Sequence, residues 1–261
     1  MTSDLQNTFY ALEHHFSRGI SLKIHVFDEA VAYIDGVDEA KFNLFLQRKA
    51  HHQPEHLINE AKQFFAMNNI LSWIYVVPSY LDTLDLRHAF QAHNLIFDED
   101  STAMYCALGT PAQNSIEPET PLIIQSADVN KKAWLQILQG SFGGTDATNA
   151  QCAQALDRAK GRVDMQHYLG TLDDEPIAAI TLTFLNDSVR IDNVATAPTH
   201  QRLGYGSQMV QFGVNLSHAK GFNHCFLDAS SNGLSVYQRL GFCEIFTYHI
   251  YAYEGEVLTK T

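Results

Sequence analysis

A chain of 261 residues exceeds the usual size of one compact domain, so the first expectation is two domains of about 100 to 150 residues each. The hydrophobic fraction of 46% and charged fraction of 18% exclude an intrinsically disordered chain. The formal charge of −12 disfavours nucleic acid as a partner, because neutralising phosphates needs a basic surface, but a few backbone N–H groups can still hold an anionic cofactor.

The N-terminus lacks a basic region followed by an apolar run, and no apolar stretch reaches about 18 residues, which predicts a soluble, cytoplasmic protein without a membrane partner. Cys106, Cys152, Cys225 and Cys243 show neither a CxxC pair nor a metal-ligand spacing, so they read as reduced core thiols, and no metal site is expected. The pairs His14-His15 and His51-His52 read as surface residues.

In chain order, the first half reads as a helix over Ala61–Asn68, a strand over Ser72–Val77, a helix over Leu84–Ala92 and a strand over Ala103–Leu108. The segment Asn114 to Pro121, with two prolines among polar residues, has the composition of a linker and divides the chain into domains at 1–113 and 121–261. Beyond it come a short strand over Leu122–Gln125, a helix over Val129–Leu138 and a second helix over Ala150–Lys160. Strands follow at His167–Thr171, Ile177–Leu185 and Val189–Thr196, joined by the turn formers Asp173-Asp174 and Asn186-Asp187 and stopped by Pro198. A helix from Gly204 to His218 with Gly221 past its end, a strand over Phe222–Ala229, a helix over Asn232–Leu240 and a strand over Phe242–Tyr253 complete the order βααβββαβαβ. The fold class is α/β of the α+β kind, with a mostly antiparallel meander. Aligning Phe90–Leu95 with Tyr237–Phe242 keeps the last helix and strand of each half in phase, which suggests an internal repeat.

The chemistry-bearing segment is Val194 to Ser207, between a strand and a helix. Gly204 and Gly206 let the backbone approach a ligand without Cβ collisions, while successive N–H groups at the helix start converge on negative charge, a geometry suited to a pyrophosphate. No Gly-Lys-Ser/Thr follows, which excludes a nucleotide-triphosphate P-loop. Met209 stands where a dinucleotide fingerprint needs its third glycine.

Gln201-Arg202-Leu203-Gly204-Tyr205-Gly206 resembles the Gln/Arg-x-x-Gly-x-Gly/Ala signature of the GCN5-related N-acetyltransferase family. Asn232, Tyr237, Gly241 and Phe242 resemble its second hallmark downstream. The resemblance covers the second half of the chain and implies acetyl-CoA as donor, wedged between two splayed neighbouring strands. It further implies backbone contacts to the pantetheine arm from Val194 and Thr196, and to the pyrophosphate from Gln201, Arg202, Leu203, Gly204, Tyr205, Gly206 and Ser207. Asn232 would contact the cofactor beyond it, and Tyr237 would protonate the departing thiolate.

Asp192 and Asp228 are candidates for the general base by position. The acceptor implied is the primary amine of a small molecule or amino-acid derivative, on a monomer or homodimer. The alternative is a non-catalytic acyl-CoA-binding or sensing module. Phe90 replaces the tyrosine in the first half, and no GxG lies between Phe42 and Lys62, so that half reads as a degenerate copy of the same fold.

Overall fold

The computed structural model describes residues 2–109 and 120–255. Helix α1 (Thr2–Ile20) is followed by strands β1 (Lys23–Val26), β2 (Ala30–Ile34) and β3 (Asn43–Gln47), helix α2 (Pro54–Met67), strand β4 (Ser72–Pro78), helix α3 (Leu84–Ala92) and strand β5 (Leu95–Ala107). The second half runs β6 (Ile123–Ser126), α4 (Lys131–Phe142), α5 (Asp146–Ala159), β7 (Asp164–Leu172), β8 (Glu175–Leu185), β9 (Ser188–Thr196), α6 (Tyr205–Ala219), β10 (His224–Ser230), α7 (Leu234–Arg239) and β11 (Cys243–Glu254). This is the element order expected of the second half. Helix α5 starts earlier than expected because Thr145 caps it, its hydroxyl accepting from the Thr148 N–H while Thr148 Oγ1 accepts from the Thr145 N–H.

By contact the chain forms two compact units that interleave along the sequence: residues 2–20 with 102–245, and residues 21–101 with 246–255. The boundary placed in the segment 114–121 falls largely on residues outside those described. In the second of these units β1, β2 and β3 form an antiparallel meander, β3 pairs in parallel with β4, and β11 pairs antiparallel with β4 from Tyr248↔Pro78 to Glu254↔Ser72. In the first, β6 to β9 are antiparallel neighbours and β9 pairs in parallel with β10. The βββαβ order thus recurs, which agrees with the expected repeat. The last strand of the chain completes the sheet of the first repeat, and the end of β5 lies beside β10.

Helices cover both faces of the first unit's sheet. Alternation along β8 turns Ile180 and Leu182 toward Met209 and Val210 of α6, and turns Ala179 toward Trp134 and Ile137 of α4. Helix α1 joins the α4 face: Phe9, Leu12 and Ile20 are buried at helical spacing, and Gly19 lets it close on Val163, since a Cβ there would stand 2.6 Å from a valine methyl.

Some sequence expectations are corrected. Cys106 and Cys225 are buried, but Cys152 is half-buried and Cys243 is exposed, because the first residue of β11 faces outward. His14 and His15 are half-buried, since α1 is packed rather than free, and burial lowers the His15 pKa. Among the described residues no helix is long and apolar enough to cross a membrane.

Candidate active site

Parallel pairing between β9 and β10 runs from Ser188↔His224 to Ile191↔Leu227 and stops, although β9 continues to Thr196 and β10 to Ser230. The cause lies in β9. Between the pairs Thr181↔Asp192 and Ala179↔Ala195, Asn193 and Val194 oppose the single residue Ile180, a β-bulge with Asn193 in the left-handed region at φ 54°. The Asn193 amide donates to Thr181 Oγ1 at 3.1 Å, which fixes the bulge. The two strands therefore part beyond Ile191, the splay that the family resemblance implies.

Beyond β9, the Thr196 carbonyl accepts from Ser141 Oγ at 2.9 Å and Gln201 Nε2 at 3.2 Å, which ties the following loop to the strand end. Arg202 (φ 64°) and Gly204 (φ 92°) both take left-handed conformations, and the chain enters α6 at Tyr205. The helix has no side-chain N-cap, and Gln208 N–H donates to the Gly204 carbonyl at 3.0 Å. The N–H groups of Tyr205, Gly206 and Ser207 thus lie ahead of the i to i−4 ladder.

These groups open on a cleft of about 600 Å³ lined by Val194, Thr196, Gln201, Arg202, Leu203, Gly204, Tyr205, Gly206 and Ser207, with Gly233, Val236, Tyr237 and Arg239 from the turn before α7 and from α7 itself. A Cβ on Gly206 would stand 3.5 Å from Thr196 Oγ1, so any longer side chain there would grow into the cradle. Such a bare, amide-rich cradle at a helix start, with two arginines on its wall, fits a coenzyme A diphosphate.

Of the residues expected in the site, Asn232 is exposed in the turn just before Gly233 and is not on the cleft wall, and Asp192 also lies off that wall. Gly233, Val236 and Arg239 escaped the sequence reading. The spacing of Val236 and Arg239 on a helix that also carries Tyr237 could have found them. Tyr237 leans over Gly233, where a Cβ would meet its Cε2 at 2.9 Å.

Asp192 is the first residue of β9 past the last pair with β10, and Asp228 holds the same place on β10. Arg190 joins them: its Nε donates to both Asp192 oxygens at 3.0 and 3.1 Å, and its Nη2 donates to Asp228 Oδ2 at 2.6 Å. The guanidinium also lies 5.3 Å from the centre of the Phe9 ring of α1. Burial opposes the charge on Arg190, but Asp192, Asp228 and Glu13 outweigh it and push its pKa up. Burial raises the Asp192 pKa to about 6, with Arg190 opposing and Asp228 adding to the rise. Burial, then the field of Asp192, raises the Tyr237 phenol to about 12. A carboxyl poised near neutrality and a phenol that keeps its proton therefore sense each other across the splay.

Residues 132–242 match the model of the acetyltransferase (GNAT) family. No sequence among curated proteins matches the chain. Among solved structures, a conserved protein of unknown function from Staphylococcus epidermidis ATCC 12228 superposes with a TM-score of 0.70 at 11% identity, covering 90% of this chain and 95% of that one. A GCN5-related N-acetyltransferase from Kribbella flavida gives 0.67 at 16% identity, covering 96% of each chain. A tandem GNAT protein from the clavulanic acid biosynthesis pathway gives 0.59 at 11% identity, covering 87% of this chain and 79% of that one. These likenesses concern the fold, and with the family match they carry one conclusion: residues 132–242 form a GNAT-family domain, in a chain with the fold of the GCN5-related N-acetyltransferases.

Proposed function

We propose that the protein transfers an acetyl group from acetyl-CoA directly to the primary amine of a small molecule or amino-acid derivative. The observation that carries this reading is the sharing of one cleft by the Gln201–Ser207 loop and Tyr237. Residues that would grip a diphosphate and a residue able to donate a proton face the same space.

When bound, acetyl-CoA supplies an acyl group activated as a thioester. The N–H groups of Tyr205, Gly206 and Ser207 hold the diphosphate, assisted by Arg202, while Val194 and Thr196 guide the pantetheine arm toward the splay. The exchange forms one C–N bond and breaks one C–S bond: between ammonium and amide the nitrogen gives up two protons, the first released through the chain to solvent, while the sulfur takes a second from a donor in the chain that the nitrogen's other proton replenishes. Asp192, ionised above about pH 6, accepts the first, directly or through a water. Tyr237, still a phenol at neutral pH, donates the second. Arg190 holds the Asp192 carboxylate in place.

The test is release of free thiol from acetyl-CoA on addition of a panel of primary amines. Thiol released only with an amine present supports transfer. Binding of acetyl-CoA without thiol release under any amine would leave a sensing module instead.

A further inference from the structure

A second cavity, of about 230 Å³, opens on the α4 and α5 side of the same unit's sheet, away from the coenzyme cleft. It is lined by Asp128, Lys131, Trp134, Lys160 and His167, with apolar residues of α5, β7 and the turns before α4 and β7 making up the rest. Its polar groups are nearly all donors. Trp134 is 1% exposed and its indole N–H has no hydrogen-bond partner, an uncommon state for a buried donor.

His167, whose ring lies 4.7 Å from that of Trp134, contacts Thr181 Oγ1 through Nδ1 at 2.9 Å. Thr181 is fully buried and its oxygen already accepts from the Asn193 amide, so its hydroxyl proton is free to go to His167 Nδ1. In the tautomer whose Nδ1 accepts that proton, the imidazole carries its own proton on Nε2, a further donor. Burial, reinforced by Lys131, lowers the His167 pKa to about 4 and keeps the ring neutral. Lys131 and Lys160 both bind Asp157, at 2.8 and 3.0 Å, and Asp128 already accepts from Ser126 Oγ. Two lysines thus face two carboxylates and Lys131 also donates to the Ala153 carbonyl, so the Trp134 and His167 donors, not a net positive charge, set what the cavity takes: a small acceptor of hydrogen bonds carrying no more than one negative charge.

We infer that this cavity is a binding site for a small carboxylate, whose oxygens accept from the Trp134 indole and the His167 imidazole beside the two lysines. His167, Thr181 and Asp192 are successive cross-strand partners, so the site lies about 10 Å, two strand spacings, from Asp192. The carboxylate could therefore belong to the acceptor or to a separate anion. The site stands without the acetyl-transfer reading.

The experiment is a titration of the full chain with sodium acetate, with sodium chloride as the ionic-strength control, following the two indole N–H resonances by NMR. The Trp73→Phe variant identifies the Trp134 peak. A saturable downfield shift of the Trp134 proton with acetate alone, reduced at least several-fold in a Lys131→Gln/Lys160→Gln double variant, is expected. An immobile Trp134 resonance, or an equal shift with chloride, overturns the site. No acetyl-CoA is present, so failure here and failure of acetyl transfer are separate results. Acetate competing with an amino-acid acceptor but not with its decarboxylated amine assigns the site to the acceptor. Competition with neither assigns it to a separate anion.

Discussion

Arg190 and Asp192 stand two residues apart on one face of β9, where the Arg190 Nε–H is shared between the two Asp192 oxygens at 3.0 and 3.1 Å, at the point where β9 and β10 part. Arg190 also holds Asp228 of β10, so one guanidinium ties together the two edges of the splay. Replacing it with methionine strands two carboxylates in a buried setting. Arg190→Met is expected to cost about 3–5 kcal/mol in urea-induced unfolding. A loss below about 1 kcal/mol would show that the tie is not structural.

The same arrangement sets a pH dependence. Asp192 must be ionised to accept a proton and its pKa is raised to about 6, so kcat/KM should rise as pH increases through about 6 and level off above it. Asp192→Asn should abolish this acid limb and lower turnover. A limb that survives in the variant would assign the titration to another group.

Tyr237→Phe is expected to lower kcat by about 100-fold to 10,000-fold with little change in the dissociation constant for acetyl-CoA, because it removes a proton donor and keeps the ring. Gly233→Ala should lower kcat in the same direction, since its Cβ would displace the phenol from the position it occupies. Unchanged turnover in steady-state assays of Tyr237→Phe would remove the acid role.

His167 predicts a stability effect with a definite sign. Its pKa is depressed to about 4 in the folded chain, whereas an unfolded histidine titrates near 6.5. The unfolded chain therefore binds the extra proton first, and this contribution, fully present above pH 6.5, is lost as pH falls toward 4, amounting to roughly 3 kcal/mol. Thermal unfolding of the wild type should lose more between pH 6.5 and 4.5 than that of His167→Gln. Parallel curves would contradict the assignment.

Much of the fold was legible because its signals are local. Asp173 and Asp174 both adopt positive φ in the turn between β7 and β8, as turn formers do, and Gly221 closes α6 at φ 87°. The Gln201–Ser207 loop was legible because its two glycines mark it: Gly204 takes a left-handed backbone at φ 92° and Gly206 leaves the start of α6 bare. What stayed hidden depends on partners far away in sequence. The bulge at Asn193 is set by Thr181, the Asp192 carboxyl is perturbed by burial and by Asp228, and β11 pairs with β4 across more than half the chain. Helix α1 is an exception: the spacing of Phe9, Leu12, Phe16 and Ile20 marks it as amphipathic in the sequence itself.

If the amides at the start of α6 grip the coenzyme diphosphate, isothermal titration with coenzyme A should separate the wild type from Gly206→Val. The wild type should bind at one site, and the valine variant, folded but with its cradle filled, should bind at least about tenfold more weakly, a loss of 1.4 kcal/mol or more. Equal affinities, or no heat from the wild type at saturating ligand, would show that the diphosphate is not held at this helix start.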